Sequence, residues 1–204
     1  MIQKPAETQE KVHELIQTRW SPRAFDVNKP VSRHDLIALL EAARWAPSCF
    51  NDQPWRFIVC DKGSNEIAWQ NAFSTLVEKN QRWAKNAPVL ILVVAMDNFN
   101  HNGQPNGWGS YDTGAAATSL CLQATALCLC THQMGGFSVE KAREVFKIPA
   151  DCQPKAMVAI GYQAEVDSLD DDFRAMELAA RSRTPIEDKF FDGAWGKGMR
   201  VASN

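Results

Sequence analysis

The 204-residue sequence predicts an α+β fold in one domain, on three observations. Two segments, "VLILVVA" (residues 89–95) and "AMVAIGY" (residues 156–162), are apolar on both faces of an extended chain. That is the pattern of central strands in a sheet covered by helices. The segments around them carry apolar residues at helical spacing. No repeat and no linker divides the chain, whose length suffices for one sizeable core. Strand order is not readable from these patterns.

The first predicted helix covers residues 9–18, with Val12, Leu15 and Ile16 on one stripe. The second opens on a capping-box variant, Ser32 with Asp35, carries Leu36, Leu39, Leu40 and Ala43 at helical spacing, and closes at Pro47. "RFIVC" (residues 56–60) is a short strand. Residues 65–85 read as one helix with Ile67, Phe73, Leu76 and Val77 inward, and Pro88 then introduces the first central strand. Polar, glycine-bearing "DNFNHNGQPNGWG" (residues 97–109) is a long loop, a kind that is usually functional or mobile.

Residues 110–129, "SYDTGAAATSLCLQATALCL", form an apolar helix rich in small residues. Such a surface lets another helix approach closely, so it belongs either at the centre of the core or at a subunit interface. Cys121 and Cys128 lie seven apart on it and are expected on one packed side. "QMGGF" (residues 133–137) follows as a turn, and "SVEKAREVF" as a short helix capped by Ser138. After the second central strand, acidic "EVDSLDDD" leads to a last helix ending near "AARSRTP"; the remainder reads as extended.

A net charge of −2 leaves no basic footprint, which excludes nucleic acid and anionic membranes as expected partners. The N-terminal stretch is polar and of mixed charge, and the longest apolar run is too short to span a bilayer, so a cytoplasmic protein is expected. Six cysteines in such a chain are expected to be reduced and mostly buried, and the four histidines show no metal-ligand spacing. P-loop, GxGxxG, GxSxG and zinc patterns are all missing from the sequence. A phosphorylated cofactor would therefore be held by side chains rather than by a glycine cradle.

Such side chains are present. "RWSPRAF" sets Arg19, Ser21 and Arg23 at alternate positions, and Pro22 biases the residue before it toward an extended shape. Two guanidinium forks and a hydroxyl then converge on one spot, suited to a phosphate or the polar edge of a ring. Arg181 and Arg183 in "RSRTP" repeat the arrangement. In "QMGGF" two consecutive glycines allow a ligand to approach the backbone closely. Between the second helix and the first strand, "APSCFNDQPWRF" spends two prolines, an Asn, a Gln, a Ser and a Trp on one connection.

In this order and spacing the motifs "RWSPRAF", "APSCFNDQPWRF", "NAPVLILVVA", "GAAATSLCLQATALCL", "QMGGF", "AIGY" and "RSRTP" resemble those of the FMN-dependent nitroreductase family over nearly the full length. The resemblance implies a central, mostly antiparallel sheet flanked by helices, with a C-terminal extension wrapping a partner subunit. It implies a homodimer with flavin sites at the interface, tightly bound FMN, and NAD(P)H as co-substrate. Arg19, Ser21 and Arg23, with Trp20 through its backbone, would contact the phosphate, ribityl chain and pyrimidine edge, and Arg181 and Arg183 would complete the phosphate site. Pro47, Ser48, Asn51 and Gln53 would reach the partner's flavin, with Pro54 and Trp55 anchoring their loop. Met134, Gly135 and Gly136 would lie along the ring, with the Gly135 N–H on flavin N5.

The chain departs from its relatives at Cys128 and Cys130, where glycine is frequent, and at Gly135, where some members carry an acid. Asn80 aligns only loosely with a flavin-contacting Asn and is left unassigned. The implied activity is ping-pong hydride transfer through flavin N5 to nitroaromatics, quinones or similar electron-poor acceptors, with residues 97–109 gating access. Reductive dehalogenation or flavin breakdown on the same fold, and flavin or ligand binding without turnover, remain alternatives at this point.

Overall fold

The computed structural model describes residues 2–199. Four strands form its sheet: β1 (Trp55–Asp61), β2 (Val89–Met96), β3 (Cys130–Met134) and β4 (Cys152–Gly161). Their order is β1-β2-β4-β3 and every neighbouring pair is antiparallel. The two strands that are apolar on both faces, β2 and β4, are the inner pair. Along β2, Leu90, Leu92 and Val94 enter one core, while Val89, Ile91 and Val93 enter the other. Period-two alternation thus buries both faces of one strand.

Among the described residues, seven α-helices cover the sheet: α1 (Glu14–Thr18), α2 (Arg33–Arg44), α3 (Glu66–Thr75), α4 (Glu78–Ala84), α5 (Gly109–Ala126), α6 (Val139–Phe146) and α7 (Asp171–Leu178). Leu36, Leu39 and Ala43 of α2 share one core with Ala116, Ala117, Leu120 and Ala124 of α5. Trp69, Ala72, Leu76, Trp83 and Phe173 fill the other. β4 ends on Gly161, where a side chain would meet Pro88 Cδ at 2.7 Å and Phe25 Cδ1 at 3.0 Å. No helix among the described residues is long and apolar enough to cross a membrane.

The α+β class and antiparallel sheet match expectation, and several elements do not. The first helix is half its expected length, because His13 caps it by accepting the Leu15 N–H at 3.2 Å. The helix expected over residues 65–85 is two helices broken at Leu76 and Val77, both extended. There the Val77 N–H donates to the Gly136 carbonyl at 3.1 Å, and Leu76 bridges to Phe137. A tertiary backbone pairing has displaced a helical turn. Ile67 and Val77, expected inward, are exposed, and the indole of Trp69 takes the buried position.

The helix of small residues ends at Ala126, and Cys128 sits beyond it in a left-handed turn at φ 57°. Cys121 is therefore buried and Cys128 exposed, not co-facial. The same turn launches β3, a strand the sequence reading passed over. The segment after Pro185 is not plainly extended: it makes a 3-10 turn over Ile186–Asp188 and a bridge from Phe191 to Gly198. The last five residues of that expected extension, 200–204, lie outside the described residues.

Candidate functional site

The β3 edge gathers cations from three separated stretches of chain. Arg19 caps the end of α1, and its Nη1 donates to Ser21 Oγ at 3.3 Å, so these two share a side, while Arg23 Nη1 faces the Glu177 carboxylate at 3.9 Å. Beneath this segment Pro22 is buried, and its carbonyl lies 3.0 Å from Nδ1 of His132 on β3. A carbonyl only accepts, so the neutral imidazole carries its proton on Nδ1. Burial, followed by the nearby Arg23 and Arg19 charges, pushes the His132 pKa down to about 4, although the Pro22 and Ser21 carbonyls oppose this. Its ring packs 4.6 Å from that of Trp83.

Arg181 donates to the carbonyls of Lys4 and Gln17, the latter at 3.1 Å, and so ties the N-terminal segment to the end of α1. Burial and then the charges of Arg19 and Arg183 lower its pKa. Arg183 is exposed and, among the described residues, bonds only its neighbour's carbonyl, Ser182 O, at 2.8 Å. Lys4 lies 4.8 Å over the Trp20 ring and belongs to the same cluster. Neither Lys4 nor His132 was read from the sequence as a site residue. Lys4 stands in a segment without pattern, and His132 in the unrecognised strand.

Glu177 was missed as well. Its carboxylate is fully buried and accepts the backbone N–H of Arg23 at 2.8 Å and of Ala24 at 3.2 Å. A signal existed, since Glu177 occupies the helical phase of Phe173, four residues earlier, where an apolar residue would be expected.

Further along the same edge, β3 ends at buried Met134 and the chain turns through Gly135 and Gly136. The Gly136 carbonyl accepts both the Val77 N–H and the Asn80 Nδ2–H, the latter at 2.9 Å. A methyl group at Gly136 would stand 2.7 Å from Asn80 Nδ2, whereas one at Gly135 would meet nothing within 4 Å. Gly136 is a packing glycine, and Gly135 leaves an open backbone surface. Cys130, on the same strand, is pushed up to about 11, chiefly by burial, so its thiol is protonated and inert at neutral pH.

The Pro47–Gln53 loop lies elsewhere. It precedes β1, the opposite edge strand, three inter-strand spacings or about 14 Å from β3 across the sheet. Ser48 Oγ accepts the Gln53 N–H at 3.1 Å, Gln53 Nε2 donates to Asn51 O at 2.9 Å, and Cys49 N–H donates to Asp112 of α5 at 3.0 Å. Gln53 thus braces its own loop, while the exposed Asn51 side chain has no hydrogen bond among the described residues. Pro54 and Trp55 are buried and anchor the loop as expected.

Asp52 also accepts the Asn100 N–H at 2.9 Å and faces His101 Nδ1 at 3.2 Å. Burial alone would raise the Asp52 carboxyl; the Asn100 backbone and His101 outweigh it and hold the pKa low. The loop expected to gate the site, residues 97–109, is therefore fastened to the Pro47–Gln53 loop. Phe50 meets Phe99 and His101 edge to face, and the Phe99 and His101 rings are tilted against each other.

The donor set on the β3 edge fits a phosphorylated planar cofactor. Arg19 and Arg183 each repel Arg181, which a phosphate dianion would relieve, and the open Gly135 backbone lies on the same edge.

A family model, Nitroreductase family, matches residues 16–162. An uncharacterized 15.4 kDa protein of Mycolicibacterium smegmatis is 30% identical over 149 residues, 71% of this chain and 99% of its own length. The major NAD(P)H-flavin oxidoreductase of Aliivibrio fischeri is 35% identical over 81 residues, 40% of this chain and 37% of that protein. Among solved structures, an oxidoreductase containing FMN matches with a TM-score of 0.87 at 38% identity, across 94% of this chain and 96% of its own.

Proposed function

The chain belongs to the nitroreductase family, and from that premise we propose that it is an FMN-dependent oxidoreductase passing hydride from NAD(P)H to nitroaromatics, quinones or similar electron-poor acceptors. The observation that carries this reading is the self-repelling arginine cluster on the edge that also exposes Gly135. Arg19, Ser21, Arg23, Arg181 and Arg183 would hold the phosphate and ribityl end, with the Trp20 backbone beside them. Met134, Gly135 and Gly136 would line the ring. Bound flavin would supply hydride acceptance and donation at N5. The protein's part is binding, orientation and charge, and no side-chain nucleophile is assigned.

The working unit proposed is a cytoplasmic homodimer of single-domain chains spanning residues 1–204. Pro47, Ser48, Asn51 and Gln53 stand across the sheet from their own arginines, so they serve a site on a second copy. Two features support the pairing. Tyr111, Gly114 and Thr118 form an exposed face of α5, and Phe190 and Trp195 are exposed at 60% and 92%.

The test is the absorption spectrum of the purified protein, followed by anaerobic addition of NADPH or NADH. A flavin spectrum that bleaches, and recovers on adding a quinone, is expected. Steady-state lines should be parallel, because donor and acceptor share one stacking face. A protein that stays colourless with added FMN would exclude this reading; bound flavin that neither nucleotide bleaches would favour a binding protein.

A further inference from the structure

Glu177 stands where elementary electrostatics argues against it. It is an anion in the last turn of α7, the end of a helix that disfavours negative charge, and it is 0% exposed. It also lies among the cations read above as a phosphate site, where a negative charge should repel the ligand. Its contacts explain its presence. Oε1 accepts the N–H of Arg23 at 2.8 Å and of Ala24 at 3.2 Å, and Oε2 accepts the Arg23 N–H at 3.1 Å. Oε2 also stands 3.9 Å from Arg23 Nη1, and Lys4 Nζ donates to the Glu177 backbone carbonyl at 2.9 Å. One buried carboxylate thus fixes two consecutive amides next to Pro22, whose carbonyl is in turn fixed by His132.

We propose that Glu177 is the positioning residue of the phosphate site, holding the Arg19–Arg23 segment in its binding shape before any ligand arrives. The proposal rests on the reading of that segment as a phosphate site. Two amides and a carbonyl pinned from below leave the Arg19–Arg23 backbone little to lose in ordering, which is how preorganisation raises affinity. The consequence has an unexpected sign: removing a negative charge from beside an anion site should weaken anion binding.

The experiment measures FMN and riboflavin binding to flavin-free protein by fluorescence quenching, for wild type, Glu177→Gln and Glu177→Asp. Gln puts an amide that can only donate where Oε2 now accepts the Arg23 N–H and faces Arg23 Nη1, and Asp keeps the charge without the reach. Both variants should bind FMN about tenfold or more weakly, with a smaller loss for riboflavin, which lacks the phosphate. Unchanged or tighter FMN binding by a folded variant, with wild type still preferring FMN, overturns the proposal alone. Wild type binding FMN no better than riboflavin overturns the phosphate reading and this proposal with it. Should neither variant fold, hydrogen exchange on flavin-free wild type decides. Arg23 and Ala24 amides protected without FMN support the role, and amides protected only once FMN is added refute it.

Discussion

The two edges of the sheet build a surface in opposite ways. At the β3 edge the working groups come from residues 4, 19–23, 132–136 and 177–183, and buried partners pin the backbone from beneath. At the β1 edge one continuous stretch folds on itself and holds Phe50, Asn51 and Gln53 at φ near 54°, where side chains other than glycine are strained by about 1 kcal/mol or more each. The first edge assembles a charge; the second displays an unpaired amide and an aromatic ring, with Phe50 80% exposed. Neither arrangement is complete alone. A concentration of cations wants an anion, and a strained loop aimed outward wants something to face.

The sharpest way to break this contrast is to reverse a charge at one edge and delete a contact at the other. Arg19→Glu should abolish retention of FMN through desalting, since a dianion loses a partner and gains a repulsion, a change of roughly 3–5 kcal/mol. Asn51→Ala, exposed and unpaired, should cost only about tenfold in flavin affinity. Circular dichroism checks that both variants fold. Equal effects at the two edges would mean that the contrast between charge assembly and loop display is false.

Next in size is the link between the edges. Truncation after Thr184 removes Phe190 and Trp195, the exposed apolar groups that support pairing with a second copy. Sedimentation should show a dimer for the full chain and monomer or aggregate for the truncated one, with flavin lost in parallel. A truncated chain that remains a flavin-loaded dimer would place the interface on α5 alone.

The two edges also differ in how legible they were. The Pro47–Gln53 loop was readable because its residues are contiguous and its turn chemistry is local. The arginines were readable as pairs, by alternate spacing after a helix and before a proline. What escaped was the support beneath them. β3 is an edge strand with a polar sequence, "CTHQM", so it carries neither the apolar run of β2 nor an alternation strong enough to mark it. His132 and Lys4 acquire their roles only through partners more than a hundred residues away, Pro22 and the Glu177 carbonyl. The break at Leu76–Val77 was likewise set by a backbone bond to Gly136, which no local propensity encodes. Long-range backbone pairing is the information that helical and strand periodicities lack.

The supporting layer has its own pH signature. His132 has an ordinary pKa of 6.5 and is held at about 4 in the folded protein. Between those values the unfolded chain binds the extra proton and the folded one does not. Stability is therefore fully present above pH 6.5 and is lost as pH falls toward 4, by about 3 kcal/mol across the window. Urea unfolding of flavin-free protein at a series of pH values measures the slope. His132→Asn, whose amide can still donate to the Pro22 carbonyl, should remove most of it. An unchanged slope in that variant would assign the acid sensitivity to another group and leave His132 without this role.

The smallest expected effect separates two neighbours within the β3 edge. Neither Gly135 nor Gly136 has a positive φ, so alanine carries no backbone strain at either. The difference is what the added methyl group meets. At Gly136 it stands 2.7 Å from Asn80 Nδ2 and 3.0 Å from Val77 Cγ2, so Asn80 must leave the carbonyl it now donates to. Gly136→Ala should lower the stability of the flavin-free protein by about 1 kcal/mol, the worth of one such hydrogen bond. At Gly135 nothing lies within 4 Å, and Gly135→Ala should be neutral or slightly stabilising, because the unfolded chain loses freedom. Flavin binding should reverse the ranking of the two. If the ring lies against the open Gly135 backbone, a methyl group there holds it off and weakens binding about tenfold, a larger loss than at Gly136. Gly135→Ala protein that binds FMN as tightly as wild type would move the ring away from this turn, and the open surface at the end of β3 would need another occupant.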